Sequence, residues 1–367
     1  MSSKKDKSNN LDNYFMSIAM NLASERIGLT GLNPSVGCVI VKNNKIISFG
    51  QTGFKGRPHA ETVAINKCKK NDLKGSSIYI TMEPCTHYGK TPPCTNQIIK
   101  SKIKKVFYSI NDVDKRTSNK AFSLLRSKKI NVIKGILKSE GKKVYKNYFN
   151  HKKNNKPFIA AKIACSKDFF TVSKNKFISN HYSRYVSHLL RFYFDSILVS
   201  SKTVNCDNSK LTCRINGLKD FSPKRLIIDK NLKINKKSPI VNDDNKNNTI
   251  IFHSSTDKKK ISHFKSKGIK LCFVSLDTND QINLKEVFIK AYNNGLGSIL
   301  IEGGKTLTKS ILNEKLINEF YLFKSKKNLG KLGKNNISNL KNKIASFLKK
   351  KETIETFLDG DEITKYY

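Results

Sequence analysis

The sequence lacks tryptophan and long apolar runs, and it has few acidic residues and few cysteines. No run of about eighteen apolar residues occurs, which excludes an ordinary transmembrane helix. The opening residues MSSKKDKSNN have no apolar core, so we expect no secretory signal. The eight cysteines do not have the spacing of a disulfide framework, which is typical of a reducing compartment. We therefore predict a cytoplasmic protein.

The shortage of acidic residues leaves a strongly positive chain, because 28 Asp and Glu stand against 70 Lys and Arg and the formal net charge is +42. Such a charge often indicates nucleic-acid binding. However, lysine and asparagine are abundant everywhere, as in KNNK, KKNN and DDNKNN, and no helix pattern interleaves basic with aromatic residues. This even distribution favours a compositional bias, and we predict no nucleic-acid partner. A positive field can still attract an anionic small substrate.

Strand and helix patterns alternate along most of the chain, whose 367 residues suit two domains. A helix pattern, LDNYFMSIAMNLASER, is followed by a predicted hairpin, GCVIVKNNKIISFG, and by further helices and strands. A polar run, NHKKNNKP, separates this part from a second alternation that begins at FIAAKIACS. The sequence therefore predicts an α/β class with domains at residues 1–150 and 151–367.

Two short motifs in the first part carry residues with the chemistry of a metal site. HAE supplies His59 and Glu61 at a predicted helix start, and EPCTHYGKTPPC supplies Cys85 and Cys94. One imidazole and two thiolates form an ordinary zinc ligand set that leaves the fourth position for water. Glu61 is placed to act as the catalytic proton carrier. The alternative, a disulfide between the two cysteines, is disfavoured in a reducing compartment.

The spacing of these motifs narrows the class of enzyme. Nucleobase deaminases carry H-x-E followed by P-C-x-x-C, and here eight residues replace the two between the cysteines. With NPSVGCVIV upstream, this pattern resembles the deaminase half of the RibD family of bifunctional riboflavin-biosynthesis enzymes. The tRNA adenosine and cytidine deaminases have the short gap and match less well.

The resemblance covers nearly the whole chain and implies both a fold and a pair of reactions. The implied fold is a cytidine-deaminase-like three-layer domain followed by a dihydrofolate-reductase-like α/β domain. The first domain would use zinc to deaminate a phosphoribosylated diaminopyrimidinone. The second would use NADPH to reduce the ribosyl group of the resulting uracil to a ribityl chain. The implied partner is thus a phosphorylated pyrimidine, and the sequence leaves a homo-oligomer open.

The resemblance also assigns substrate contacts in the first domain: Asn33 to the pyrimidine, and His87 and Lys90 to the phosphate and ribose. A lysine suits a phosphorylated substrate because it is a strong cationic donor. The open alternatives are a plain turn residue for Asn33 and a solvated loop for the other two. The family usually continues the next strand with Asp-Pro-Asn-Pro. This chain reads NDVDKR, which keeps Asp112 as a contact but has neither proline.

The second half resembles the family's reductase through the segments KIACSKDFFT, RFYFDSILVSSKTVNCDN, LTCR and ILIEGGKTL. On this resemblance, the predicted cofactor contacts are Ser166, Phe177, Thr203, Asp207, Gly303 and Gly304. The predicted reductase substrate contacts are Lys162, Asn175, Arg191, Leu211, Arg214 and Glu302. The glycines would let backbone N–H groups approach a dinucleotide phosphate, although a tight turn before a helix needs glycine in any case. The arginines would hold a phosphate, or would simply be surface residues of a basic chain.

The main departure from the family pattern is Phe169, which stands where the family has glycine. If that position has a positive φ or faces the nicotinamide, a phenylalanine is costly or obstructs the cofactor. Two alternatives to a bifunctional enzyme therefore stay open. One is a deaminase whose reductase domain is slow or inactive, and the other is a basic RNA-binding nucleobase deaminase.

Overall fold

The computed structural model describes residues 4–173 and 177–367, which form two compact units, Met1–Asn155 and Lys156–Tyr367. The division lies five residues after the predicted boundary at residue 150. The polar run before it is helical as far as Asn154, so it belongs to the first unit. No helix in the described ranges is both long and apolar enough to cross a membrane.

The first unit is built on one sheet with helices on both faces. Its helices are α1 (Lys4–Ser24), α2 (Ala60–Asn66), α3 (Lys70–Leu73), α4 (Cys94–Lys100), α5 (Lys120–Ser127), α6 (Lys138–Val144) and α7 (Lys146–Asn154). Its strands are β1 (Gly37–Lys42), β2 (Lys45–Gln51), β3 (Ser77–Met82), β4 (Lys105–Ile110) and β5 (Asn131–Lys134). Within the described residues the strand order is β2-β1-β3-β4-β5, and β3, β4 and β5 run parallel.

Alternate side chains of the central strands pack into two different layers, as a pleated strand requires. On β1, Val39 packs in the cluster that contains residues of α1, while Ile40 packs in the cluster that contains residues of α2 and α5. The approach of α1 depends on Gly37, because a Cβ there would lie 1.9 Å from the carbonyl oxygen of Ala19. The predicted three-layer arrangement of the first domain is confirmed.

The predicted hairpin is the pair β1 and β2, which run antiparallel from the pair Gly37 and Gln51 to the pair Lys42 and Lys45. Asn43 and Asn44 form its two-residue turn, and both have positive φ, at 51° and 58°. This is the backbone that a tight hairpin turn demands, and asparagine tolerates it better than most residues.

The second unit is a larger α/β unit with a mostly parallel sheet. Its strands are β6 (Phe158–Cys165), β7 (Phe170–Val172), β8 (Ser196–Ser200), β9 (Lys224–Ile228), β10 (Thr249–His253), β11 (Lys270–Phe273), β12 (Ser298–Ile301), β13 (Glu319–Lys324), β14 (Lys334–Asn336), β15 (Lys351–Thr353) and β16 (Glu362–Tyr366). Its helices are α8 (His181–Phe192), α9 (Ser201–Asp207), α10 (Pro239–Asn242), α11 (Lys258–Ser266), α12 (Leu284–Asn293), α13 (Lys305–Asn313) and α14 (Ser338–Phe347).

The main sheet of this unit has the order β11-β10-β9-β8-β12-β6-β13-β16-β15 over the residues that the structure describes. Its central strands are buried on both faces, which explains their continuous apolar sequences. On β6, Ile163 packs in the cluster that contains α12, α13 and α14, while Ala160 and Ala164 pack in the cluster that contains α8 residues. The two faces of β6 therefore meet different helices.

Candidate functional site

The three predicted metal ligands converge in the first unit. His59 lies immediately before α2, Cys94 is the first residue of α4, and Cys85 lies in the segment between β3 and α4. Their ligand atoms all lie within 4.8 Å of one another. Nδ1 of His59 is 3.2 Å from Sγ of Cys94 and 3.6 Å from Sγ of Cys85. No other group of three such ligands occurs in the described part of the chain.

The surroundings of Cys85 favour the thiolate, which is the form that binds metal. Hydrogen bonds with the Cys94 side chain and with His59 lower the pKa of Cys85 to about 4, against the effect of burial. The backbone N–H of Cys94 also donates to Sγ of Cys85, at 3.2 Å. The same hydrogen bond, together with burial, raises the pKa of the Cys94 thiol, so the shared proton lies on Cys94. One imidazole and two cysteine sulfurs are a donor set that fits a zinc ion.

Glu61, the predicted proton carrier, is buried beside these ligands with only 4% of its surface exposed. Burial raises the pKa of its carboxyl group, while the nearby His59 opposes that effect. A carboxyl group whose pKa is raised towards neutrality can both accept and donate a proton under working conditions. The position of Glu61 therefore suits general acid–base chemistry at the metal centre.

A cavity of about 450 Å³ opens next to this cluster, and His59, Glu61 and Cys85 form part of its wall. Its size falls within the range of ordinary small-molecule sites. The structure also brings to this cavity all four residues that were predicted to contact the deaminase substrate, namely Asn33, His87, Lys90 and Asp112.

Neighbouring groups hold several of these four residues in place. The side-chain amide of Asn33 donates to the carbonyl oxygen of Gly56 at 3.3 Å. Gly56 has a φ of +84°, and a Cβ there would lie 2.2 Å from Nδ2 of Asn33, so glycine is required on both grounds. Nδ1 of His87 lies 3.0 Å from Oγ1 of the buried Thr117. These contacts keep the Asn33 and His87 side chains at the cavity wall.

Sequence reasoning missed several residues of this cavity. Four cations on its wall were not anticipated, namely Lys55, Arg57, Arg116 and Lys152. In a chain with 70 Lys and Arg, no local signal distinguishes a cation at a site from the others. Glu83 and Tyr148 were also missed, although Glu83 directly precedes the Pro-Cys pair and that position was a usable signal.

Three of the predicted reductase substrate residues meet in the second unit. Arg191 of α8 forms a two-pronged ion pair with Glu302, in which Nε donates to Oε1 and Nη2 to Oε2, both at 2.8 Å. Each side chain is 12% exposed. Lys162 of β6 lies close enough to both for their charges to affect it, and burial lowers the pKa of its ammonium group. Arg191 is thus already paired with a carboxylate.

Arg214 is linked to the ion pair of Arg191 and Glu302 through His188. Its Nε donates to Nε2 of His188 at 3.1 Å, and Nδ1 of His188 lies 3.2 Å from the carbonyl oxygen of Thr212. Burial, together with Arg191 and Arg214, lowers the pKa of His188 to about 4. The imidazole is therefore neutral near pH 7, accepting at Nε2 and donating at Nδ1.

The residues predicted to contact NADPH differ in their burial and in their hydrogen bonds. Ser166 is buried, and its hydroxyl donates to Asp168 and accepts from the N–H of Phe170. A Cβ added to Gly304, just before α13, would meet no atom within 4 Å, which leaves the backbone there open to a ligand. Thr203 is in the first turn of α9, and Asp207 is at its exposed end.

Among the remaining predicted residues, Leu211 is buried in a hydrophobic cluster, so only its backbone is available to a ligand. Phe177 is half exposed, and the guanidinium carbon of Arg184 lies 4.3 Å from the centre of its ring. Gly303 lies between β12 and α13 without a positive φ. Asn175 lies outside the described residues.

Phe169 has a positive φ of 66°, which is the backbone conformation that would make a residue other than glycine costly at this position. That conformation costs an ordinary residue about 1–2 kcal/mol. Its ring packs against the cluster that contains α14 residues, and Nζ of Lys341 lies 4.7 Å from the ring centre. Lys162 is adjacent to Ile163 on β6 and so points to the opposite face of the sheet. The Phe169 ring therefore lies away from the Lys162, Arg191 and Glu302 group.

Comparisons with known proteins match a protein family to each of the two units. Residues 157–356 match the family model of the RibD C-terminal domain, and residues 9–110 match that of the cytidine and deoxycytidylate deaminase zinc-binding region. The chain is 31% identical over 323 residues to the riboflavin biosynthesis protein RibD of Aquifex aeolicus, covering 87% of this chain and 88% of that protein. It is 32% identical over 317 residues to RibD of Bacillus amyloliquefaciens, covering 85% and 84%.

A solved structure shares the fold over almost the whole length. It is a diaminohydroxyphosphoribosylaminopyrimidine deaminase/5-amino-6-(5-phosphoribosylamino)uracil reductase from Thermotoga maritima, with a TM-score of 0.81 and 28% identity. The similarity covers 98% of this chain and 99% of that one.

Fold, site and comparisons together define a two-domain enzyme in which a zinc-dependent deaminase is joined to a reductase. The chain belongs to the RibD family of riboflavin biosynthesis. It carries out a deamination and a reduction in that pathway, with zinc and NADPH as cofactors. The predictions of a bifunctional enzyme, of its α/β fold class and of its two cofactors are confirmed.

Proposed function

We propose that the first unit deaminates a phosphoribosylated diaminopyrimidinone and that the second unit reduces the ribosyl group of the resulting uracil. The Thermotoga maritima relative is a deaminase and reductase of such phosphoribosylated compounds. The observation that carries the proposal is the convergence of His59, Cys85 and Cys94 beside the buried Glu61, in a cavity with cations on its wall.

In this proposal His59, Cys85 and Cys94 hold the zinc ion. Zinc, when bound, lowers the pKa of water to about 7 and so supplies hydroxide near neutral pH. Glu61 takes up one proton of the attacking water and passes it to the ring nitrogen. It then takes the proton of the hydroxyl group formed on the ring carbon and passes it to the amine, which leaves as ammonia. The burial that raises its pKa supports this role, because one carboxyl group must both accept and donate.

The cavity wall accounts for the recognition of a phosphorylated pyrimidine. Asn33 and Asp112 offer amide and carboxylate groups to the pyrimidine, while His87 and Lys90 face the ribose phosphate. Lys55 and Arg57 add positive charge to the same wall, whereas Arg116 and Lys152 are paired there with Asp114. Cations on the wall of a cavity favour an anionic ligand through both affinity and steering.

For the reduction, we propose that Lys162 and Arg214 contact the substrate, with Arg191 held by Glu302 beside them. Leu211 would contribute through its backbone, and Asn175 remains a predicted contact. The cofactor would contact Ser166, Phe177, Thr203, Asp207, Gly303 and Gly304. The Phe169 ring lies on the face of the sheet opposite to Lys162, which supports access of the substrate to the predicted substrate contacts.

We also propose that the enzyme works in the cytoplasm and without a nucleic-acid partner. All eight cysteines are free thiols, as expected in a reducing compartment. A cavity of about 450 Å³ suits a mononucleotide-sized substrate better than a polymer.

The direct test supplies the diaminopyrimidinone to the purified, zinc-loaded chain with and without NADPH. Ammonia release and the absorbance of NADPH are followed separately. We expect ammonia in both samples and NADPH consumption only after deamination has begun. A chain that releases no ammonia, or that oxidises NADPH without prior deamination, would contradict the proposal.

A further inference from the structure

The loop of residues 111–119, between β4 and α5, borders the zinc cavity and is here called the β4–α5 loop. It carries Asp112 on the cavity wall. It also carries Thr117, whose Oγ1 lies 3.0 Å from Nδ1 of His87. Two predicted substrate contacts therefore depend on where this loop lies. The loop contains no proline, so its backbone is not stiffened from within.

Glu83, immediately after β3, holds the loop from one side. Its carboxylate accepts three backbone N–H groups: those of Asp112 at 3.2 Å and Asn119 at 3.0 Å on Oε2, and that of Ala121 at 3.1 Å on Oε1. Asn119 precedes α5 in a left-handed conformation and gives that helix no side-chain cap. Glu83 supplies the missing acceptor from another part of the sheet, through charge-assisted hydrogen bonds.

Helix α7 holds the loop from the other side. The hydroxyl of the buried Tyr148 donates to Oδ1 of Asp112 at 2.9 Å. One turn later, Nζ of Lys152 lies 3.4 Å from Oδ2 of Asp114. Residues four apart lie on the same face of a helix, so one face of α7 contacts both loop carboxylates. The same Oδ1 of Asp112 accepts the N–H of Asp114, at 3.0 Å.

We propose that Glu83 and Tyr148 are positioning residues of the deaminase, which clamp the β4–α5 loop so that Asp112 and His87 face the substrate. Glu83 acts on the backbone of the loop, and Tyr148 acts on the carboxylate of Asp112. The inference rests on the proposed deaminase function of the first unit. It also gives α7, which follows the deaminase sheet at the end of the first unit, a part in the deaminase site.

The test is Tyr148→Phe in the full-length, zinc-loaded chain, because it removes one hydroxyl and keeps the ring. We expect the deaminase KM to rise about fivefold, the equivalent of one ordinary hydrogen bond. We expect kcat to stay within about twofold, because Asp112 is assigned to hold the substrate and not to the reacting atoms. A purely structural defect would lower the fraction of active enzyme, and hence kcat, and would leave KM unchanged.

The matched control is Tyr321→Phe in the second unit. Tyr321 is also buried, and its hydroxyl also donates to a carboxylate, Oε2 of Glu319 at 3.0 Å. We expect this variant to leave the deaminase KM unchanged. A second variant, Glu83→Gln, replaces an acceptor oxygen by an amide donor facing backbone N–H groups, so we expect a larger rise in KM than in Tyr148→Phe.

The outcomes separate this inference from the function on which it rests. Wild-type chain that releases no ammonia would defeat the deaminase proposal before any variant is compared. An active wild type with an unchanged KM in Tyr148→Phe would overturn only the clamp. Equal rises in KM in Tyr148→Phe and Tyr321→Phe would also overturn it. Zinc content and NADPH oxidation with the deaminated substrate should stay at the wild-type level in Tyr148→Phe.

Discussion

The two units differ in how their sites are assembled along the chain. In the first unit, the predicted metal ligands and the buried acid come from two short motifs between residues 59 and 94. In the second unit, the predicted contacts extend from Lys162 to Glu302, and the ion pair between Arg191 and Glu302 joins residues 111 positions apart. Closely spaced motifs with unusual residue types identify their chemistry, whereas dispersed common residues do not.

The two sites also differ in how their charges are balanced. The thiolate-forming Cys85 lies beside His59 and Cys94 in the first unit, and this arrangement favours a bound cation. In the second unit, burial alone would raise the pKa of Glu302, but Arg191 and Lys162 outweigh burial and hold the pKa at about 2. The first site is therefore built to receive a cation, and the second already contains its own.

The largest expected effect follows from Glu61→Gln. The amide cannot carry protons, so we expect the deaminase kcat to fall about a thousandfold, within the range of general acid–base catalysis. Zinc content and NADPH oxidation with the deaminated substrate should stay unchanged. Steady-state ammonia release and metal analysis check this. Substantial ammonia release by the variant would remove Glu61 from its assigned role.

Cys85→Ser tests the ligand set of the first unit. A hydroxyl is a much poorer zinc ligand than a thiolate, so we expect the bound zinc to fall well below one ion per chain, and deamination to fall with it. Metal analysis after dialysis provides the measurement. Cys68→Ser is the matched control, since Cys68 lies outside the cavity wall in the same unit. Equal zinc content in the two variants would refute the ligand assignment.

How well each site could be predicted from sequence follows from the same comparison. The clustering of His59, Cys85 and Cys94 near Glu61 and the hairpin at Asn43 and Asn44 were predictable, because each depends on local residue types and spacing. Glu83 was not assigned a role. Its place before the Pro-Cys pair marked it as notable, but its three backbone partners, 29 to 38 residues away, could not be read from the sequence.

The second unit was harder to predict for a related reason. The strands near its C-terminus are short and polar, as in the three-residue strand Lys334–Asn336, so they show little periodicity. The pairing of Arg191 with Glu302 was also hidden, because nothing in a basic chain indicates which arginine faces a carboxylate. The polar run before residue 155 was predicted to separate the two domains, but it is helical as far as Asn154.

Glu302→Gln tests how much the ion pair between Arg191 and Glu302 contributes to the stability of the second unit. It leaves Arg191 as a buried charge without its partner, so we expect the second unit to lose about 3 kcal/mol of stability. Reductase activity should fall while deamination continues. Glu362→Gln is the control, because Glu362 pairs with Lys324 on the surface and exposed pairs contribute at most about 1 kcal/mol. Urea unfolding of the two variants measures the difference.

The same pair predicts a pH dependence. The pKa of Glu302 is depressed in the folded state, from 4.5 to about 2. Its contribution to stability is therefore fully present above about pH 4.5 and is lost as the pH falls towards 2. We expect the stability gap between the wild type and Glu302→Gln to shrink over this range. A gap that is constant with pH would show that Glu302 is not held as a carboxylate by Arg191.

The smallest expected effect concerns Phe169→Gly. Glycine relieves the left-handed backbone by about 1 kcal/mol but removes the packing of the ring, so the net change in stability should stay within about 1 kcal/mol. Because the ring lies on the face of the sheet opposite to Lys162, the KM for the deaminated substrate should change by less than about twofold, the equivalent of less than 0.5 kcal/mol. A large fall in this KM would show that Phe169 obstructs the reductase substrate.

The central claim is that the first unit of the chain carries out the deamination and the second unit the reduction. The most direct measurement mixes the variants Glu61→Gln and Asp207→Ala and supplies the diaminopyrimidinone with NADPH. Asp207 is exposed at the end of α9, so its substitution spares the fold. We predict that neither variant alone consumes NADPH at the wild-type rate and that the mixture regains consumption. Loss of both activities in each variant, with no recovery on mixing, would contradict the account.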